Sequence, residues 1–287
     1  MKPNPIFYFL FASLAVASLA CSLTVPGFTS LKTGTTKTFD LNAPSPGTEA
    51  VQDVNLSILA GEFTLSGGAD AMLDGQVHYN VEEWEPFITS SENSLTVSQG
   101  NLEASALELP VGEVVNDWDV KLGNFPMNLT LHAGAFEADL DLSGLPIHRL
   151  EVQDGASDSD IYFNTLNPDV MEQLEYQTGA SDINFLGLAN ANFEEMHFNG
   201  GAGNYTLDFS GSLQRDADVT IDVGLSDLRI LVPAGVSARV ALDKALVDVN
   251  PEGAWTQNGD IFTNPGSGSQ LNITIKMGAG TLELVNN

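Results

Sequence analysis

One short pattern returns along this chain and leaves few folds open to it. Its form is apolar-x-apolar-x-x-Gly, mostly with a further apolar residue four positions after the glycine. It appears first as Leu56-x-Ile58-x-x-Gly61, then as Leu129-x-Leu131-x-x-Gly134 and Leu150-x-Val152-x-x-Gly155. Leu174-x-Tyr176-x-x-Gly179, Met196-x-Phe198-x-x-Gly201 and Val219-x-Ile221-x-x-Gly224 come next. Val240-x-Leu242-x-x-Ala245 carries alanine at the anchor, and Ile273-x-Ile275-x-x-Gly278 ends the series. From Gly134 to Ala245 the anchors stand 21, 24, 22, 23 and 21 residues apart, with gaps of 73 before and 33 after. Alternation on both sides of each anchor predicts two short strands that share one buried face and meet at a sharp corner. Glycine suits such a corner because it accepts positive φ and leaves room for the neighbouring unit. A near-constant period with paired strands predicts an all-β stacked solenoid of short strands, its rungs about 4.8 Å apart. An immunoglobulin-like sandwich is the competing all-β reading, but it calls for turn signals without a constant anchor residue.

The organisation along the chain follows. Residues 126–287 hold the regular rungs, and residues 51–125 read as an N-terminal cap or atypical portion of the same solenoid, which shields the core from end-to-end stacking. Residues 21–50 are rich in Thr, Pro, Gly and Ser and read as a tether, with Thr36 to Leu41 alternating well enough for an added strand. Residues 1–20 read as a signal peptide: Lys2 is the only charge, Ile6 to Leu19 are apolar apart from small serines, and Ser18-Leu19-Ala20 precedes a cut point. The sole cysteine, Cys21, follows that cut point, where a bacterial lipoprotein takes its lipid. Ser18 stands where such signals usually carry Leu, so ordinary secretion with an incidental Cys is the alternative. A single cysteine allows no intramolecular disulfide, and stability must come from packing.

Charge narrows the partners. The 287 residues carry 38 Asp+Glu against 10 Lys+Arg, a formal −28. Residues 1–20 contain one Lys and no acid, so the exported chain carries 38 acids against 9 bases, or −29. Nucleic acid is excluded as a general partner, because no basic footprint exists to neutralise phosphates. Anionic headgroups and teichoic polymers repel such a surface, whereas divalent cations and cationic peptides suit it.

Gly61-Glu-Phe-Thr-Leu-Ser-Gly-Gly, Trp118-Asp-Val-Lys-Leu and the Gly-Ala steps at Gly134, Gly155, Gly179, Gly201 and Gly278 together resemble the toast-rack family of bacterial extracytoplasmic β-solenoid domains. The resemblance covers roughly residues 51–287 and implies a β-solenoid outside the cytoplasm. The wider group includes adhesin-type domains and domains of cell-wall-active antibiotic response regulators. The latter carry several membrane helices that this chain lacks, and the family supplies no catalytic residues.

The repeat also builds the sharpest chemical candidate. Three residues after successive anchors stand Glu137, Asp158, Asp182, Asn204, Asp227 and Asp248, which form one outward column if the rungs stack in register. Like charges facing each other on adjacent strands are destabilising, so the column needs a reason. One is an Asx turn, in which each side chain accepts a backbone N–H just after the corner. The other is a ladder of hard oxygen ligands for Ca²⁺. Neither a calcium β-roll repeat nor an EF-hand loop is present. His78, His132, His148 and His197 lack paired metal spacing, and His132 and His197 read as outward strand residues. Trp118 reads as core, and Trp255 either contacts a ligand or closes the last rung.

The chain therefore reads as a non-catalytic envelope lipoprotein, anchored to the membrane by an N-terminal lipid, whose rigid solenoid serves adhesion, scaffolding or the binding of an envelope protein or wall polymer. An accessory sensor in an envelope-stress response is the alternative. A third class, polysaccharide cleavage, stays open because carboxylates abound, though no pair stands out.

Overall fold

Each repeat unit folds as one strand bent at its anchor. The computed structural model describes residues 31–47, 50–100 and 110–286; Cys21 and the export segment lie outside the described residues. The rungs are β8 (Met127–Asp141), β9 (Ile147–Tyr162), β10 (Met171–Leu186), β11 (Phe193–Asp208), β12 (Ala217–Val232), β13 (Gly235–Glu252) and β16 (Gly266–Asn286). The two short strands expected per unit are the two arms of a single strand of 15 to 21 residues. In β10, Leu174 and Tyr176 are buried in the first arm and Ile183 and Phe185 in the second. Between them Gly179 and Ala180 both face out. Two consecutive outward residues break the two-residue alternation, and the inner face of the second arm folds onto that of the first.

Rings meet across and along this fold. Phe198 and Tyr205 of one rung pack edge to face at 5.0 Å, as do Tyr176 and Phe185 at 5.4 Å, and Tyr176 stacks on Phe198 of the next rung at 5.7 Å. Buried Leu142, Phe163, Leu188 and Phe209 in the return segments close the third side. Successive returns are tied by backbone bonds such as Phe163 N–H to Leu186 O (2.9 Å) and Phe209 N–H to Leu231 O (2.9 Å). Buried Asn167 joins three turns, its Nδ2 donating to Ile147 O (2.8 Å) and Ala191 O (3.2 Å).

The rungs pair in parallel and in register, in the order β8-β9-β10-β11-β12-β16-β13. The last strand thus lies between β12 and β13, and the short strands β14 (Thr256–Asn258) and β15 (Ile261–Asn264) cover the first arm of β13 from outside. The anchors form one column, and its glycines answer to close approach alone. A Cβ on Gly155, Gly179, Gly201, Gly224 or Gly278 would lie 2.7, 2.4, 2.2, 2.5 or 2.7 Å from the anchor carbonyl of the preceding rung. Positive φ, also expected at these corners, is found at none of them.

Gly61 does not belong to that column. Strand β2 (Gln52–Ala69) stacks on β8 with Leu56 opposite Leu131 and Ala60 opposite Ala135, so Leu59 holds the anchor slot. A Cβ on Gly134 would meet the Leu59 carbonyl at 2.3 Å. The unit in β2 is Val54-x-Leu56-x-x-Leu59; alternation permits a slip of two residues without changing the buried face, which makes Leu56-x-Ile58-x-x-Gly61 look equivalent. Gly61 has φ +134° and instead approaches Asn116 O.

At the N-terminal end β2 parts its two arms between two partners. The first arm pairs with β5 (Ser94–Gln99), itself in a hairpin with β4 (Pro86–Ser90). The second pairs with β7 (Asn116–Gly123), followed by antiparallel β3 (Leu73–Val81) and β1 (Leu31–Ala43), with β6 (Pro110–Val111) beside the start of β1. The strand expected at Thr36–Leu41 is therefore the core of β1, and the span read as tether contributes to the sheet. A buried knot holds the parting: Gln99 Nε2 donates to Asn116 Oδ1 (2.7 Å), Leu59 N–H to Gln99 Oε1 (2.9 Å) and Trp118 Nε1 to Asn116 Oδ1 (3.1 Å). Trp118 is core, as its alternation predicts.

Candidate functional site

The second arms present an outer face ruled into columns by the register. One column runs Asp117, Glu62, Glu137, Asp158, Asp182, Asn204, Asp227, Thr281, Asp248. The six residues expected in register do share it, with Thr281 interposed because β16 separates β12 from β13. Its acids are exposed. A parallel column two residues on reads Asp119, Thr64, Asp139, Asp160, Asn184, Thr206, Arg229, Glu283, Asn250.

Adjacent carboxylates about 4.8 Å apart repel by about 1 kcal/mol per pair even in water. The structure shows how two runs end. Asn204 Nδ2 donates to Asp182 Oδ1 at 2.7 Å, and Asn184 Nδ2 donates to Asp160 Oδ1 at 2.8 Å. Asparagine thus closes each acidic run by donating back to its last member. The Asx turn expected of the column is not what forms: Asp182 Oδ1 accepts the backbone N–H of Asn204, on the neighbouring rung, at 3.2 Å. Glu137, Asp158, Asp227 and Asp248 accept no hydrogen bond from any described residue. Farther along, Arg229 Nε faces Glu283 at 3.7 Å. Among the described residues no three His, Cys, Asp or Glu side chains converge on one point for a metal ion, so any cation on this face bridges neighbours along a column.

The histidines stand singly. His132 faces Glu151 (3.7 Å), His148 faces Asp169 (3.1 Å), His197 faces Glu195 (3.8 Å), and His78 Nδ1 lies 3.0 Å from Thr38 Oγ1. Trp84 and Trp118 are buried, and Trp255 is half-buried against the core. That position makes Trp255 a lid residue more than a docking ring.

Sequence reasoning missed a buried polar knot inside the corner. Asp154, only 6% exposed, accepts from Tyr176 OH (2.8 Å), Thr178 Oγ1 (2.5 Å) and Ser181 Oγ (3.2 Å), and Thr178 and Ser181 also share a hydrogen bond. Tyr205 OH lies buried nearby without a described partner. Burial foremost, and then the charges of Asp154 and Asp182, push the Tyr205 phenol up to about 12. Tyr176 is raised too, by burial first and Asp154 second. The signal was present in the sequence: Asp154 occupies the inward phase before Gly155, where Ala133 and Val223 stand in other rungs.

An open hollow of about 490 Å³ on the corner is lined by Asp222, Lys244, Lys276 and Met277. No helix among the described residues is long and apolar enough to cross a membrane.

Comparison with known proteins sets this geometry in context. No curated protein matches the chain. A "putative cell adhesion protein" from Clostridium sporogenes is 19% identical over 88% of this chain and 100% of its own, with a TM-score of 0.47. A "putative adhesin" from Bacteroides fragilis is 12% identical over 89% of this chain and 100% of its own, with a TM-score of 0.40. A "putative lipid binding protein" from Parabacteroides distasonis is 10% identical over 90% and 100%, with a TM-score of 0.42. The family model described as the N-terminal domain of toast_rack, DUF2154, matches residues 29–165 and 164–231. Those residues run from β1 through β12, well over half of the sequence, and the chain belongs to the toast-rack family.

Proposed function

We propose that this toast-rack protein is a non-catalytic envelope lipoprotein whose solenoid acts as a rigid adhesion or scaffolding surface. The observation that carries the reading is the acidic outer face of the second arms. Asp117, Glu62, Glu137, Asp158 and Asp182 stand in unbroken succession on five neighbouring strands, beside Asp139 and Asp160. An in-register sheet holds these groups at fixed spacing with little entropy left to lose on binding, which favours a flat cationic or cation-bridged partner surface. Chemistry on a substrate calls for converging groups in a cleft; here the charges are spread along a plane.

Attachment and location belong to the same proposal. Cys21 takes the lipid, and the chain works outside the cytoplasm on the membrane surface. Cys21→Ala is expected to move the protein from the membrane to the soluble fraction; unchanged partition without lipid labelling overturns the anchor. The triple change Glu137→Gln, Asp158→Asn, Asp182→Asn is expected to reduce retention on native envelopes about tenfold, equivalent to about 1.4 kcal/mol. Equal retention of the two forms removes the acidic face from the function.

A further inference from the structure

The two ends of the second-arm sheet are alike in geometry: each leaves one strand edge without a described strand beside it. At the tail, β15 covers the first arm of β13 at Ala238–Ala241. The second arm, from Ala245 to Glu252, pairs with β16 on one side and with no described strand on the other. The core is open there. Leu228 and Leu282 are 1% and 0% exposed, whereas Val249 in the same column is half-exposed. Ile230 and Leu284 are both 0% exposed, whereas Pro251 in their column lies in the open. Leu246 on the adjoining ridge is 81% exposed.

At the head, β1 pairs with β3 from Lys37 to Ala43 and has no other described strand along that stretch. Register links the two ends directly. Phe39 stands in one continuous column with Val77, Trp118, Phe63, Ala138, Ser159, Ile183, Tyr205, Leu228, Leu282 and Val249. Phe39 is half-buried, like Val249. Because β1 is antiparallel to β3, and β3 to β7, strand β1 runs in the same direction as β7 and every second arm that follows.

We propose that the tail edge Leu246–Asn250 of one copy takes the head strand β1 of a second copy, which continues the sheet in parallel from molecule to molecule. In the continued register Phe39 covers Val249 and Leu41 stands beside Pro251, so half-exposed Phe39 and Val249 each gain the neighbour that their column has everywhere else, and exposed Pro251 gains one too. The polarity of β1 matches, and the backbone groups along both edges find partners. Strand direction and register favour a copy of this chain over an arbitrary strand. Charge adds little: along the paired stretch β1 carries Lys37, which also faces Glu82 at 3.3 Å, against Asp40, and Leu246–Asn250 carries Asp248 alone. Head and tail patches differ, so the contact is heterologous and extends into a filament rather than closing as a symmetric dimer. The net charge of −28 opposes it between whole molecules, which makes assembly salt-dependent.

The test is sedimentation velocity on the full chain carrying Cys21→Ala, so that neither thiol nor lipid links copies. Measurements are made at rising concentration in about 0.15 M and about 1 M salt, where the screening length falls from about 8 to about 3 Å. The expected result is a concentration-dependent series of oligomers that lengthens at high salt. Phe39→Lys removes the head and Val249→Lys the tail, and each alone sediments as monomer with its melting transition retained. Mixed together they yield dimers and nothing larger, because each supplies one sound end. Single species at every concentration and salt, assembly unaffected by either change, or a mixture without dimers overturns the proposal. Binding of a basic alternating peptide at the β13 edge without self-association overturns it in favour of a foreign strand.

Discussion

The interior rung at Gly179 and the terminal rung at Ala245 share one pattern, yet they meet different surroundings. β10 is pinned between β9 and β11, and any Cβ at its corner is driven into the carbonyl of Gly155. β13 is held along its second arm from one side only, and there Ala245 puts a Cβ at the anchor; the other anchor with a Cβ, Leu59, also stands where its strand pairs on one side only, with β8. A strand with one neighbour can yield a few tenths of an ångström; a strand with two cannot. The difference teaches that the repeat encodes the distance of closest approach between rungs, and that this demand relaxes at the edge.

The largest effect expected from that contrast is at the anchors. Gly179→Ala should destabilise by about 3 kcal/mol or more, since the added carbon would sit 2.4 Å from a backbone oxygen inside a fixed sheet. Ala245→Gly should change stability by less than about 1 kcal/mol. Urea denaturation of the two variants decides it, and equal losses would remove the distinction between interior and edge.

A smaller contrast lies within the interior. Tyr176→Phe deprives buried Asp154 of a donor and should cost about 2 kcal/mol, while Tyr205→Phe removes a hydroxyl without a described partner and should leave stability unchanged or raise it by about 1 kcal/mol. The two tyrosines also set an alkaline limit. Tyr205 titrates near about 12 when folded, against about 10 when unfolded, so the unfolded chain loses its proton first. The stability concerned is complete below about pH 10 and is lost as pH rises toward 12. Tyr205→Phe should flatten part of that alkaline fall in thermal melts, and an unaltered pH profile would count against the assignment.

The smallest effect concerns cations. Ca²⁺ should raise the melting temperature by about 3 °C, corresponding to about 1 kcal/mol, through the unbroken run Glu137, Asp158, Asp182. Asp158→Asn should remove the rise, whereas Asp248→Asn, separated from the next acid of its column by Thr281, should not. Melting indifferent to both calcium and chelator leaves the column as a solvated face.

Much of this was legible in advance for identifiable reasons. Alternation marks the buried face, and a missing Cβ marks the corner, so both arms and six glycine anchors of the regular half follow from residue types. The slip at Gly61 shows the limit: a two-residue period gives the same face at every second position, and partner strands choose among them. The column of Glu137, Asp158 and Asp182 was legible because equal spacing from an anchor becomes equal height in a parallel stack. Its hydrogen bonds were not, because Asp182 is satisfied by Asn204 of the neighbouring rung, 22 residues away, and not by its own turn.

By itself the sequence determined the unit: a bent strand of fixed period with a glycine where backbones come close and a core of alternating apolar residues. Only the tertiary structure decided the order of the units. Every rung offers the same apolar columns to either neighbour, so local chemistry does not say that β16 enters between β12 and β13. The Cβ of Ala245 gives a physical reason for the outcome, since the glycine rung can be enclosed on both sides and the alanine rung is left at the edge.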